Sequence, residues 1–307
     1  MTDTLICIVG PTAIGKTQLS LVLAEHYGTE ILSADSRQFY REMTVGTAVP
    51  SQEELQRAQH HFVQHKSVHD PYSVGQFERD ALAVLKTTFK SRNKAILVGG
   101  SGLYVDAVTK GLDHFPEVDP SLRTELNTLW RNKGLKALQQ ELSVLDPEHW
   151  QRVDRNNPHR LIRALEICLG TGKPYSSFLN KQREKRNFRI VTVGLRAPRE
   201  ILYARIEARV EAMMKTGLLE EARALYPYRD LNALQTVGYR ELFAHFNGQY
   251  DLDTAVMEIK KNTRRFAKRQ GTWFRKNQDT HWLDHDYKKH ALLPWIDQMV
   301  NKEDEPA

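Results

Sequence analysis

Gly10-Pro11-Thr12-Ala13-Ile14-Gly15-Lys16-Thr17 has the spacing G-x-x-x-x-G-K-[ST], the pattern of a loop that cradles phosphates. Its glycines let backbone N–H groups approach phosphate oxygens, Lys16 adds a point charge, and Thr17 offers a hydroxyl to Mg²⁺. Loops of this kind that hydrolyse nucleotides usually have an Asp ending a second apolar strand, which holds the metal through water. The best such strand here, Lys94 to Gly100, ends in glycines. A phosphate or diphosphate ligand fits, and ordinary ATP hydrolysis is disfavoured.

Three further groups could do chemistry beside that loop. In Ser33-Ala34-Asp35-Ser36-Arg37-Gln38-Phe39-Tyr40, Asp35 can serve as a base, with Ser36, Gln38 and Tyr40 placed to read a planar amide or base edge. The same Asp35 can instead cap a following helix, which leaves Gln38 on the surface. In Gly99-Gly100-Ser101-Gly102, paired glycines allow close backbone approach, and Ser101 can donate to an oxygen or cap the next helix. Arg205 and Arg209 are four apart on a helical pattern, so both can face one anion or pair with nearby glutamates.

The elements that must hold these residues are readable from hydrophobic periodicity. Residues 5–10, 30–35 and 94–100 read as buried strands, with helical patterns over 16–26 and 74–90 between them. Strand and helix in alternation predict a parallel α/β sheet whose ligands gather at the carboxyl ends of the strands. Gly10, Asp35 and Gly99 sit at three such ends. From Pro120 to Gly170 the pattern is helical throughout, with Pro120 and Pro158 near two helix starts and Gly134 and Gly170 after two ends. A basic stretch over 180–189 closes this segment before a strand returns at 190–195. The layout predicts a helical insertion inside the α/β domain. Near the C-terminus, Val256, Ile259, Thr263, Phe266, Gln270 and Trp273 recur at helical spacing as one packing seam. The other faces carry Lys260, Lys261, Arg264, Arg265, Lys268, Arg269, Arg275 and Lys276, which fits phosphates as well as a solvated face.

Composition narrows the class. The 307 residues are 40% hydrophobic and 27% charged, with a formal net charge of +6 that suits a polyanionic partner. Two separate cysteines, Cys7 and Cys168, supply neither a disulfide framework nor a zinc site. No apolar run is long enough to span a bilayer, and the first ten residues do not read as a signal peptide. A cytoplasmic protein is expected.

Six stretches occur in order: GPTAIGKT, DSRQFY with the following VGTA, GGSGLY, RVEAMMKTGLLEE, LQTVGYREL and TRRFAKRQGTWFR. Together they resemble the bacterial tRNA dimethylallyltransferases, also called tRNA isopentenyltransferases, over nearly the whole chain. The resemblance implies a P-loop NTPase-like core of residues 1–113 and 191–307 and a helical insertion domain, 114–190, that contacts tRNA. It implies transfer of a dimethylallyl group from dimethylallyl diphosphate to the exocyclic amine of adenosine 37, in the anticodon stem-loop, by a monomer using Mg²⁺.

By the same resemblance Asp35 is the general base and Ser101, where relatives often have Thr, stabilises the departing bridging oxygen. Gly10 to Thr17 and Arg209 hold the diphosphate, with Thr17 on the metal. Asp35, Ser36, Arg37, Gln38, Ser101, Arg123 and the stretch His159-Arg160-Leu161-Ile162-Arg163 fall at tRNA-contacting positions. That last stretch matches Gln-Arg-x-x-Arg in relatives, with His159 in place of the Gln. The alternatives are a prenyltransferase acting on free AMP or ADP, a small-molecule P-loop kinase, and a non-enzymatic RNA-binding protein.

Overall fold

The computed structural model describes residues 2–179 and 185–301. Part of the basic stretch over 180–189, residues 180–184, lies outside the described residues. The chain forms two compact units, Met1–Lys110 with Arg186–Ala307, and Gly111–Lys185.

The first unit is built on strands β1 (Thr4–Val9), β2 (Ile31–Ser33), β3 (His60–His61), β4 (Lys94–Gly99), β5 (Arg189–Arg196) and β6 (Thr280–Asp284). They form one sheet in the order β3-β2-β4-β1-β5-β6, with every pairing parallel. All six residues of β1 are buried, as a central parallel strand covered on both faces requires. Its side chains alternate between two cores: Leu5, Cys7 and Val9 enter one, while Ile6 and Ile8 enter the other. The register pairs Val9 with Gly99 and Ser33 with Val98, so β1, β2 and β4 end at one level. The loops carrying the candidate chemistry all leave from that edge.

The second unit is helical. Its core includes Leu126, Leu138, Leu142, Leu161, Ile162 and Leu165 from the helices Ser121–Lys133, Leu135–Leu145 and Pro158–Thr171. Gly134 follows the first of these as expected, but Gly170 does not end the last. The stop is Gly172, which takes a left-handed φ of 66° and donates its N–H to the Cys168 carbonyl. Gly170 lies inside the helix for a packing reason, since a Cβ there would sit 2.5 Å from Val118 Cγ1.

The long helix Leu252–Phe274 also differs from its expected seam. Ala255, Ile259, Ala267, Gln270 and Phe274 are the buried residues, whereas Phe266 and Trp273 are exposed. Ile259 and Gln270 of the expected seam are buried, but Ala255, Ala267 and Phe274 complete it in place of Phe266 and Trp273, because small alanines carry little hydrophobic weight in the pattern. The basic faces are partly neutralised as well. Lys260 pairs with Glu211 at 2.7 Å, Lys261 with Glu258 at 2.6 Å and Arg264 with Glu207 at 2.6 Å. No described helix is long and apolar enough to cross a membrane.

Candidate active site

A crevice of about 480 Å³ opens at the carboxyl ends of β1, β2 and β4. The loop after β1 forms its floor. Gly10 takes a φ of 145° and has no room for a side chain, because a Cβ would lie 2.8 Å from the Leu195 carbonyl oxygen. Ala13 and Gly15 also have positive φ, 61° and 108°, which turns successive amides toward one concavity. Gly15 then caps the helix Lys16–Tyr27, whose positive end faces the same space. Thr12 to Thr17 line the crevice.

Its cations are poorly solvated and touch neutral acceptors. Lys16 Nζ donates to the Pro11 carbonyl at 2.8 Å. Burial lowers the Lys16 pKa to about 8, an effect that Asp35 opposes and Arg209 reinforces. The helix Arg199–Lys215 brings Arg209 to the Thr12 hydroxyl at 3.1 Å and Arg205 to the Ile14 carbonyl at 3.1 Å. Burial also draws the Arg209 pKa below its ordinary value, with Asp35 acting the other way. Both arginines line the crevice, and among the described residues neither forms an ion pair with a glutamate, although Glu54 lines the same space and acts on Arg209 in the same sense as Asp35.

Asp35 stands at the end of β2 and lines the same space. Its Oδ1 accepts the Arg37 N–H at 3.0 Å, which closes a tight turn over residues 36–39. No α-helix follows, so Asp35 is not a helix cap. Ser36, Arg37 and Ser101 do not line the crevice. The Ser101 hydroxyl accepts the Ser36 N–H and donates to the Ser36 hydroxyl, each at 3.1 Å. Arg37 donates to the carbonyls of Asn232 and Ala233 at 2.9 and 3.0 Å. Gln38 lines the crevice, but its amide is occupied: it accepts from Ser33 and donates to the Thr47 and Ala48 carbonyls.

In the helical unit the stretch that resembles a tRNA contact splits into two kinds of residue. Leu161 and Ile162 are buried in the unit's core, so their side chains do not form an RNA-facing surface. Helical spacing sends them inward while Arg160 and Arg163 project from other faces. Arg160 is exposed, and the His159 ring meets Trp130 edge-on at 6.0 Å. Arg163 and Arg123 both bind Glu166, Arg123 through two nitrogens at 3.1 and 2.8 Å and Arg163 at 2.9 Å. Burial opposes ionisation of Glu166, yet these hydrogen bonds outweigh it and hold the carboxyl below its usual range.

Two structural ties were not recognised from sequence. Glu221 accepts the N–H groups of Thr44, Val45 and Gly46, each at 2.8 Å, and the Tyr239 hydroxyl at 2.7 Å, which pins the loop beside Gln38. Gln270 joins two backbone loops of the crevice. The available signal was a glutamine at a seam position otherwise suited to an apolar residue.

Thr17 presents the hydroxyl position, and among the described residues no cluster of three acidic, histidine or cysteine ligands forms a cage for a metal ion.

A parallel sheet with this loop and this cation-lined crevice defines an α/β protein of the P-loop class. Residues 38–277 match the family model described as IPP transferase, and the chain belongs to that family. The match begins beyond the phosphate loop and Asp35, but full-length relatives extend across both. A tRNA dimethylallyltransferase of Christiangramia forsetii is 56% identical over 98% of this chain and 100% of its own length. One from Flavobacterium johnsoniae is 54% identical over 95% of this chain and 96% of its own. The crystal structure of a Bacillus halodurans tRNA isopentenylpyrophosphate transferase aligns with a TM-score of 0.71 at 36% identity, covering 97% of this chain and 96% of that one. A eukaryotic dimethylallyltransferase acting on tRNA shares the fold with a TM-score of 0.82 at 23% identity, over 98% of this chain and 81% of that one.

Proposed function

We propose that this chain transfers a dimethylallyl group from dimethylallyl diphosphate to the exocyclic amine of adenosine 37 in tRNA and releases diphosphate. The relatives support prenyl transfer to tRNA as the activity. The observation that carries the finer reading is one crevice in which a carboxylate, Asp35, faces two desolvated cations, Lys16 and Arg209.

The amine nitrogen attacks the allylic carbon as the carbon–oxygen bond to diphosphate breaks, and its electron pair leaves with the phosphate oxygen. The amine proton passes to the Asp35 carboxylate. An aryl amine is a weak nucleophile, so positioning and a local base supply much of the rate. Lys16, Arg209 and the loop amides meet the charge of the leaving diphosphate in a poorly solvated site, where such contacts are strongest. Mg²⁺, held by the Thr17 hydroxyl and the donor's own phosphate oxygens, would supply further charge neutralisation. The target base must leave its stack, which costs least in a single-stranded loop.

Ser101 acts in this reading by holding the turn beside Asp35 through Ser36. His159, Arg160, Arg163 and Arg123 supply the tRNA contacts of the helical unit. The catalytic groups all come from one chain, so a monomer suffices, acting in the cytoplasm with tRNA. Incubation with labelled dimethylallyl diphosphate should label tRNA, leave free AMP unlabelled, and need no ATP. Labelling of AMP alone, or a strict need for ATP, would overturn the assignment.

A further inference from the structure

Gln270 is buried in the long helix Leu252–Phe274, and both ends of its amide are engaged. Its Oε1 accepts the Thr12 N–H at 2.9 Å, and its Nε2 donates to the Gly100 carbonyl at 2.9 Å. An N–H on one side and a carbonyl on the other dictate which end of the amide is which. The fit is close, since a Cβ on Gly100 would sit 2.2 Å from Nε2.

The two loops joined in this way lead to opposite partners of the reaction. On one side Thr12 lies in the phosphate loop, and its hydroxyl accepts from Arg209. On the other side Gly100 precedes Ser101, whose hydroxyl holds the Ser36 N–H next to Asp35. A continuous path therefore runs from Asp35 through Ser36, Ser101, Gly100, Gln270 and Thr12 to Arg209. The Thr12 N–H is also spent on Gln270, so the phosphate-facing amides begin further along the loop.

We infer that Gln270 is a positioning residue that sets the separation between the base and the cradle of the leaving group. The inference rests on the prenyl-transfer reading above. In-line displacement needs nucleophile, carbon and leaving oxygen aligned, and misplacement by about 1 Å can cost on the order of 10²-fold. Gln270 touches no reacting atom in this account. It keeps the two loops in register from a third element, the helix that carries it.

The test compares wild type, Gln270→Met and Gln270→Glu in single turnovers with saturating tRNA and labelled donor. Rates are normalised to diphosphate-binding sites by titration. Gln270→Met removes both bonds at nearly the same length. Gln270→Glu keeps the shape and the acceptor for Thr12 but loses the donor to Gly100, and it serves if Gln270→Met does not fold. Transfer should fall by about 10- to 100-fold per active site while donor affinity moves by only a few-fold. The partition should shift too, because misaligned donor is lost to water as dimethylallyl alcohol, diphosphate and a proton. Lower thermal stability with unchanged per-site rate and unchanged transfer-to-hydrolysis ratio would reduce Gln270 to packing and overturn the inference. A wild-type chain that prenylates no tRNA would instead overturn the underlying reading.

Discussion

Arg209 in the crevice and Arg163 in the helical unit are both carried on helices, yet they end in opposite circumstances. Arg209 gives its hydrogen bond to a neutral hydroxyl, and burial lowers its pKa. Arg163 shares the Glu166 carboxylate with Arg123. The crevice gathers Lys16, Arg205 and Arg209 with two carboxylates, Asp35 and Glu54, so its cations outnumber its anions and positive charge is left for a ligand. The helical unit brings its counter-ion with it. A cation held without a built-in partner costs folding energy that a bound anion can return, whereas a paired one mainly stabilises its own unit. Charge in the sequence is thus no guide to ligand binding until its partner is known.

The largest expected effect tests the carboxylate at the end of β2. Asp35→Asn keeps an oxygen to accept the Arg37 N–H but cannot take the amine proton. The single-turnover transfer rate should drop by about 10²- to 10⁴-fold, with tRNA and donor binding largely kept. A folded variant with near-normal transfer would remove Asp35 as the base.

Next in size is the pH response of Lys16. Its proton leaves the folded, ligand-free protein as pH rises through about 8, whereas an ordinary lysine holds it to 10.5. Between those values the unfolded chain binds more protons, so this group's contribution to stability rises with pH across that window. Donor binding moves the other way, because the charged form is the one that meets diphosphate. Donor affinity should weaken above pH 8 by up to about tenfold per pH unit, and Lys16→Met should abolish that limb. A flat profile in the wild type would show that the Lys16 charge does not govern donor binding.

The contrast between the units also marks how far the sequence was legible. Strands and phosphate loop were readable because apolar runs and glycine spacing are local signals. The carboxyl ends of β1, β2 and β4 align, so Asp35, Lys16, Thr17 and Gln38 line one crevice. Side-chain partners were much less legible. Glu207 and Glu211 neutralise Arg264 and Lys260 from more than forty residues away in sequence. Gln38 had the type to read a base edge, but the Thr47 and Ala48 carbonyls take its donors. Phe266 and Trp273 outweighed two alanines in the hydrophobic pattern although the alanines face the core. These outcomes depend on tertiary neighbours, which periodicity does not encode.

A smaller effect is expected in the helical unit. Glu166→Ala leaves Arg123 and Arg163 able to reach water, since both side chains are more than a third exposed. The cost should be about 1–3 kcal/mol, below that of stranding a fully buried charge, and visible as a lower melting temperature. Prenyl transfer at saturating tRNA should remain close to normal. A loss in transfer as large as that of Asp35→Asn would erase the distinction between the two regions.

The smallest effect concerns Arg160, the exposed cation of the same helix. Its backbone N–H is capped by Asn157, but among the described residues its side chain has no acidic partner. Arg160→Ala should therefore change stability by less than about 0.5 kcal/mol, as ordinary surface substitutions do. If Arg160 meets a tRNA phosphate, the slope of log affinity against log salt should flatten by about one unit. Arg163→Ala provides the internal contrast, because it also removes a hydrogen bond to Glu166 and should lower the melting temperature. Binding of tRNA across a salt series, with thermal melts of both variants, separates the two roles. An unchanged slope for Arg160→Ala would leave that residue as solvated surface. A flattened slope with an unchanged melt would make it a cation whose counter-ion is the RNA, the helical unit's nearest analogue of Arg209.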